Sequence, residues 1–174
     1  GESRPQQLAQ RAADLSDEIT WHLIGLLQRN KVGLVLPVAN MIHSIDSWRL
    51  LERINRSAKD LGLRPRLLLE VNVSGEESKD GLAPDEVRAR WAEVVALENV
   101  ELEGFMTMAP IVEDAESVRP FFRSLKELRD ELADRSENKL KIPHLSMGMS
   151  RDYSIAVEEG ATIVRVGSSL YKGL

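Results

Sequence analysis

Two short runs carry the residue types that hold an anion. Ser146-Met147-Gly148-Met149-Ser150 combines two hydroxyls with a glycine and runs straight into a segment of helical period. Gly167-Ser168-Ser169 repeats the combination further along. Backbone N–H groups at a helix start, a glycine that permits close approach and hydroxyl donors together suit a phosphate group. Each run alone is equally a structural device, Ser150 capping the helix and Gly148 turning the chain. Two such runs at the ends of consecutive strand-like segments keep a phosphate site open beside that plainer reading.

Arg165 stands between Val164 and Val166 on an apolar segment. A charge buried there needs a partner, which is either a ligand or a buried ion pair. His22 alternates with Trp21 and Leu23 and either faces a pocket or is a satisfied core residue; His43 and His144 read the same way. None of the three has a His, Asp or Glu partner at metal-ligand spacing, so no metal site is expected. P-loop, dinucleotide-binding, zinc-protease and nucleophile-elbow patterns do not occur. The charged run 76–80 reads as solvated surface, and Met106 and Met108 around Thr107 read as packing.

The elements that must position these residues follow from hydrophobic period. Pro5 opens a polar helix carrying Leu8, Ala12, Leu15 and Ile19. Strands are expected at 21–25, 41–44, 66–73, 101–108, 142–146 and 162–166. Between them come a weak helix over 27–35 and one carrying Trp48, Leu51, Ile54, Ala58 and Leu61, with Asp46 or Ser47 as cap and Gly62 as stop. A third starts at Pro84 with Val87, Trp91, Val94 and Val95; a fourth carries Val118, Phe121, Phe122, Leu125, Leu128 and Leu132; a fifth covers 151–159. Alternation of this kind predicts an α/β fold with a parallel sheet, either an open doubly wound sheet or a (β/α) barrel two strands short. In both, the chemistry belongs at the carboxyl ends of the strands.

Composition bounds the rest. The 174 residues are 43% hydrophobic, enough for one domain over 1–174, and the net charge is −5. The longest apolar run, 32–39, is too short for a membrane span. The negative charge argues against phosphate-backbone binding of nucleic acid. Absent cysteine removes disulfides and thiolate metal sites. With no secretory signal ahead of the first helix, the expectation is a soluble cytoplasmic domain, with no membrane or nucleic-acid partner.

The motifs together resemble the pyridoxal phosphate homeostasis protein family. The resemblance runs through Trp21-His22-Leu23-Ile24-Gly25, Leu27-Gln28-Arg29-Asn30-Lys31, His43-Ser44-Ile45-Asp46-Ser47 and Val71-Asn72-Val73-Ser74-Gly75-Glu76-Glu77-Ser78-Lys79. It continues through Gly104-Phe105-Met106-Thr107-Met108-Ala109-Pro110 and Leu145-Ser146-Met147-Gly148-Met149-Ser150 to Val164-Arg165-Val166-Gly167. It implies a TIM-type barrel similar to the N-terminal domain of alanine racemase, with six strands in this chain and the first two of eight missing. It further implies binding of pyridoxal 5′-phosphate for cofactor homeostasis, with no catalytic turnover. By the same resemblance Ser146, Met147, Gly148, Met149, Ser150, Gly167 and Ser168 would surround the phosphate. Arg165 would face the pyridine ring, His22 and Met108 would line the pocket and Ser3 would sit at its edge.

The resemblance also marks departures. Gly1-Glu2-Ser3 matches the family's Gly-Glu-Asn turn, so the preceding strand–helix–strand, with the Schiff-base lysine, is expected to be absent and the cofactor held non-covalently at best. Ser3 replaces Asn, and Leu26 stands where the family has His. Lys31 and Lys79 lie near the functional edge; Lys59, Lys126, Lys139, Lys141 and Lys172 do not. Two alternatives stand beside the carrier reading. One is a truncated barrel acting as a structural or interaction module that self-associates through its open edge. The other is a racemase-like enzyme using pyridoxal phosphate.

Overall fold

The computed structural model describes residues 1–15, 18–76, 79–136 and 140–171. Among them, six parallel strands lie in the order β1 (His22–Leu23), β2 (Met41–Ile45), β3 (Arg66–Glu70), β4 (Glu101–Met106), β5 (His144–Met149) and β6 (Ile163–Arg165). Neighbours in sequence are neighbours in space throughout. This excludes the doubly wound alternative, whose strand order reverses at a switch point. The sheet is an open half-barrel, the expected incomplete TIM-type barrel.

Each crossover is helical. The chain places α1 (Pro5–Asp14) before β1, α2 (Val32–Val35) after it, α3 (Trp48–Leu61) after β2, and α4 (Pro84–Ala89) with α5 (Trp91–Val95) after β3. Then α6 (Arg119–Arg135) follows β4 and α7 (Tyr153–Glu158) follows β5. Helix α3 forms where expected: Leu50, Leu51, Ile54 and Ala58 are buried on one face, and Gly62 ends it in the left-handed conformation (φ 65°) that glycine adopts without a Cβ penalty.

Strand period 2 divides the interior in two. Ile42, Leu67, Leu69, Phe105, Leu145 and Met147 join the main core with the helices. Met41, Leu68 and Met106, on the alternate positions, form a small separate cluster with Ile163 on the concave face. Arg165, His43, Glu70 and Ser146 fall in that second phase, which is why the concave side is polar toward its carboxyl end.

Several expected boundaries move. The first helix stops at Asp14, so Leu15 and Ile19 are exposed at 48% and 43% instead of packing. Strand β3 stops at Glu70 because the chain returns alongside it. The Leu82 N–H donates to Glu70 O at 2.8 Å, and Asn72 N–H to Leu82 O at 3.0 Å. The helix from Pro84 breaks at Arg90 into α4 and α5, yet still buries Val87, Trp91 and Val94. Strand β5 begins two residues later than expected and runs to Met149, so the run 146–149 is strand and not loop. Residues Glu77, Ser78, Lys139 and Lys172 lie outside the described residues. No helix among the described residues is long and apolar enough to cross a membrane.

Candidate functional site

Two polar clusters stand at the carboxyl ends of β5 and β6. The first is centred on Arg165. Its Nη1 donates to Ser146 O at 2.8 Å and to Ser146 Oγ at 2.7 Å, and its Nη2 donates to Thr107 O at 2.8 Å. Thr107 is held in turn by its hydroxyl, which donates to Val71 O at 2.8 Å. No carboxylate stands within ion-pair distance of Arg165 among the described residues. Burial draws its pKa down, against the raising influence of Glu70 and Asp152. Ser146 Oγ also meets His43 Nδ1 at 2.8 Å, and His43 Nε2 meets His22 Nδ1 at 2.9 Å.

The second cluster is a nest of backbone N–H groups. Gly167 N–H and Ser169 N–H both donate to Ser150 Oγ, at 3.3 and 3.2 Å, and the Ser169 hydroxyl donates to Ser150 O at 3.2 Å. Tight packing fixes the approach: a Cβ on Gly148 would stand 2.6 Å from Ala156 Cβ and 2.9 Å from Tyr153 Cα. Gly167 has no heavy atom within 4 Å of the same position, so the nest opens outward. Asp152 accepts the Met149 N–H at 2.6 Å and ties the end of β5 to the start of α7.

Beside these clusters lies a cavity of about 260 Å³ lined by Glu70, Asn72, Lys79, Met108, Ile111 and Met149, among others. Glu70 is 5% exposed, and its carboxyl makes no hydrogen bond or ion pair among the described residues. Burial first, then Asp46 and Asp80, push it up to about 7, with Arg165 opposing. Lys79 Nζ is removed from water; it lies 3.2 Å from Glu76 Oε1 but makes no hydrogen bond.

The site residues expected from sequence therefore divide. Ser146, Arg165 and His22 join one network; Ser150 and Gly167 join the nest, with Ser168 exposed beside it. Met108 and Met149 share the cavity. Met147 turns away, fully buried in the helix-side core. Ser3 is exposed and pressed on the end of β1, where a Cβ on Gly25 would meet its carbonyl oxygen at 2.3 Å. It is held there by Glu2, whose carboxylate accepts the N–H groups of Ser3 (2.8 Å) and Arg4 (3.0 Å) and pairs with Arg11. Thr107 and Glu70 are not among the residues the sequence points to, whereas Ser169 belongs to the second hydroxyl-and-glycine run and His43 shares the reading of His22. Of those two, Glu70 carries a local signal, a carboxylate closing an apolar strand.

An open parallel half-barrel with a hydroxyl-and-amide nest at the carboxyl ends of its last two strands defines a class, the (β/α) barrels that place their site at that edge. Residues 8–174 match the family model for the alanine racemase N-terminal domain. The pyridoxal phosphate homeostasis protein of Aquifex aeolicus is 44% identical over 172 residues, covering 98% of this chain and 75% of that protein. The human protein of that name is 39% identical over 186 residues, 98% of this chain and 66% of the relative. PipY of Synechococcus elongatus, solved with pyridoxal phosphate bound, superposes with a TM-score of 0.89 at 38% identity, over 98% of this chain and 80% of that one. The chain belongs to the pyridoxal phosphate homeostasis protein family. It spans about three-quarters of the Aquifex relative and two-thirds of the human one.

Proposed function

We propose that this chain binds pyridoxal 5′-phosphate and holds it inside the cell without turning over a substrate. The observation that carries the reading is the outward-opening nest of Ser150, Gly167 and Ser169 beside Arg165, a cation with no carboxylate partner among the described residues. In this reading the N–H groups of Gly167, Ser168 and Ser169 and the Ser150 hydroxyl take the phosphate. Gly148 keeps the end of β5 close to α7 so that the nest keeps its shape. Arg165 faces the ring, Met108 and Met149 wall the cavity, and His22 and Ser3 lie at the margins. The bound cofactor would supply an aldehyde and an electron-withdrawing ring; the residues named here bind and orient it.

The hold by these residues is read as non-covalent. Lys79, which reaches the cavity, is already paired with Glu76.

The test is co-elution of the chain with pyridoxal phosphate on gel filtration, followed by borohydride reduction and intact mass. Binding with an unchanged protein mass is expected. A reduced cofactor adduct overturns the non-covalent hold, and absence of co-elution overturns the binding itself. Racemisation of added alanine by the loaded protein overturns the reading as a carrier.

A further inference from the structure

His22, His43 and Ser146 come from three strands and meet only in the folded chain, in a hydrogen-bonded file that ends on Arg165. His43 is 1% exposed and Ser146 0%. The protons along the file can be placed by elimination. A guanidinium has donors only, so Ser146 Oγ accepts from Arg165 and keeps its own proton to give. The acceptor in hydrogen-bond reach of that proton is His43 Nδ1, at 2.8 Å. Were His43 protonated on Nδ1, the Ser146 hydroxyl would be buried with no acceptor, a costly arrangement. A doubly protonated His43 would add a second positive charge one hydroxyl away from Arg165. Burial, together with His22 and Arg165, holds the His43 imidazole down at about 3, so it is neutral at any physiological pH.

We propose that His43 is a positioning residue: as the neutral Nε2–H tautomer it accepts the hydrogen bond of the Ser146 hydroxyl at Nδ1, turns the serine oxygen to Arg165 and so helps to fix the guanidinium that faces the ligand in the barrel mouth. The same polarity makes His22 Nδ1 an acceptor and leaves the His22 proton on Nε2. Only the identity of the ligand rests on the proposed function; the placement of the protons does not.

The experiment begins on the cofactor-free chain with ¹⁵N-labelled histidine and long-range ¹H–¹⁵N spectra between pH 5.5 and 8. The expected result is a bare Nδ1 and a protonated Nε2 on both His22 and His43, with no titration of His43. A protonated Nδ1 on His43, or its titration in that range, overturns the proposal.

Two variants then separate positioning from folding, each checked by thermal melting. His43→Asn keeps an acceptor for Ser146, and His43→Leu does not. With pyridoxal phosphate as probe, His43→Leu is expected to bind about tenfold more weakly, the weight of one hydrogen bond, and His43→Asn to stay within about threefold. Unchanged affinity in a folded His43→Leu overturns the positioning role. If the wild-type chain fails to bind the probe, the proposed function falls while the file is still tested. With Ser146 O and Thr107 O still accepting, the Arg165 guanidinium protons are then expected to exchange faster in His43→Leu than in the wild type and His43→Asn. An unchanged exchange rate in His43→Leu overturns the proposal.

Discussion

Replacing Glu70 by Gln should make this protein more stable, and increasingly so as the pH rises. Glu70, 5% exposed, ends β3, and its carboxyl has no hydrogen bond or ion pair among the described residues. Burial, then the charges of Asp46 and Asp80, raises its pKa from 4.5 to about 7 even with Arg165 opposing. A carboxyl whose folded pKa lies above its unfolded value binds the extra proton in the folded state. Its contribution is therefore intact below pH 4.5 and lost as the pH climbs through about 7. That interval corresponds to about 3 kcal/mol of lost stability above neutrality. Gln keeps the shape and carries no charge to desolvate. At pH 8 the variant should exceed the wild type by about 3 kcal/mol, or about 6–12 °C in Tm for a chain of this size. At pH 5 the gain should shrink below about 1 kcal/mol. Urea unfolding followed by tryptophan fluorescence at pH 5, 6, 7 and 8, at constant ionic strength, measures the difference directly. A gain independent of pH, or one that grows toward acid, would refute the assignment of an unpaired, desolvated carboxyl.

Other outcomes follow from the packing and the nest. Gly104→Ala should cost more than about 3 kcal/mol. Its φ is 155°, and a Cβ would stand 1.9 Å from His144 O on the adjacent strand, so a wild-type melting temperature would contradict the register of β4 against β5. Ser150→Ala removes the acceptor shared by the Gly167 and Ser169 N–H groups. It should cost about 1 kcal/mol of stability and weaken pyridoxal phosphate binding about tenfold by equilibrium dialysis. Undiminished affinity would remove Ser150 from the nest's role.

Much of the fold was legible because period and punctuation are local properties. Leu50, Leu51, Ile54 and Ala58 share a helix face whatever else the chain does, and Gly62 stops that helix by its own backbone freedom. The apolar run 67–69 could only be a buried strand once alternation implied a parallel sheet. Less legible were the ends. Leu15 and Ile19 fit a helical stripe but had nothing to pack against, and β3 was cut short by a returning loop that no local pattern announced.

The site divides along the same line. The hydroxyl and glycine runs at 146–150 and 167–169, and a charge at Arg165 that needed a partner, are properties of residue type and could be read directly. Which partner Arg165 takes could not. Among the described residues no ion pair forms, and backbone and hydroxyl acceptors on β5 and after β4, supplied by Ser146 and Thr107, hold the guanidinium. His43 looked like a plain core histidine because its partners come from β1 and β5, over a hundred positions away in the case of Ser146. Chain order determined the alternation, the parallel sheet and the small polar residues at its functional edge. Only the curvature of that sheet, bringing alternate positions of separate strands to one concave face, decided that Ser146 serves Arg165 and His43 while Ser150 serves the nest. Period 2 assigns a residue to a face; it does not say which residues of other strands share that face at contact distance.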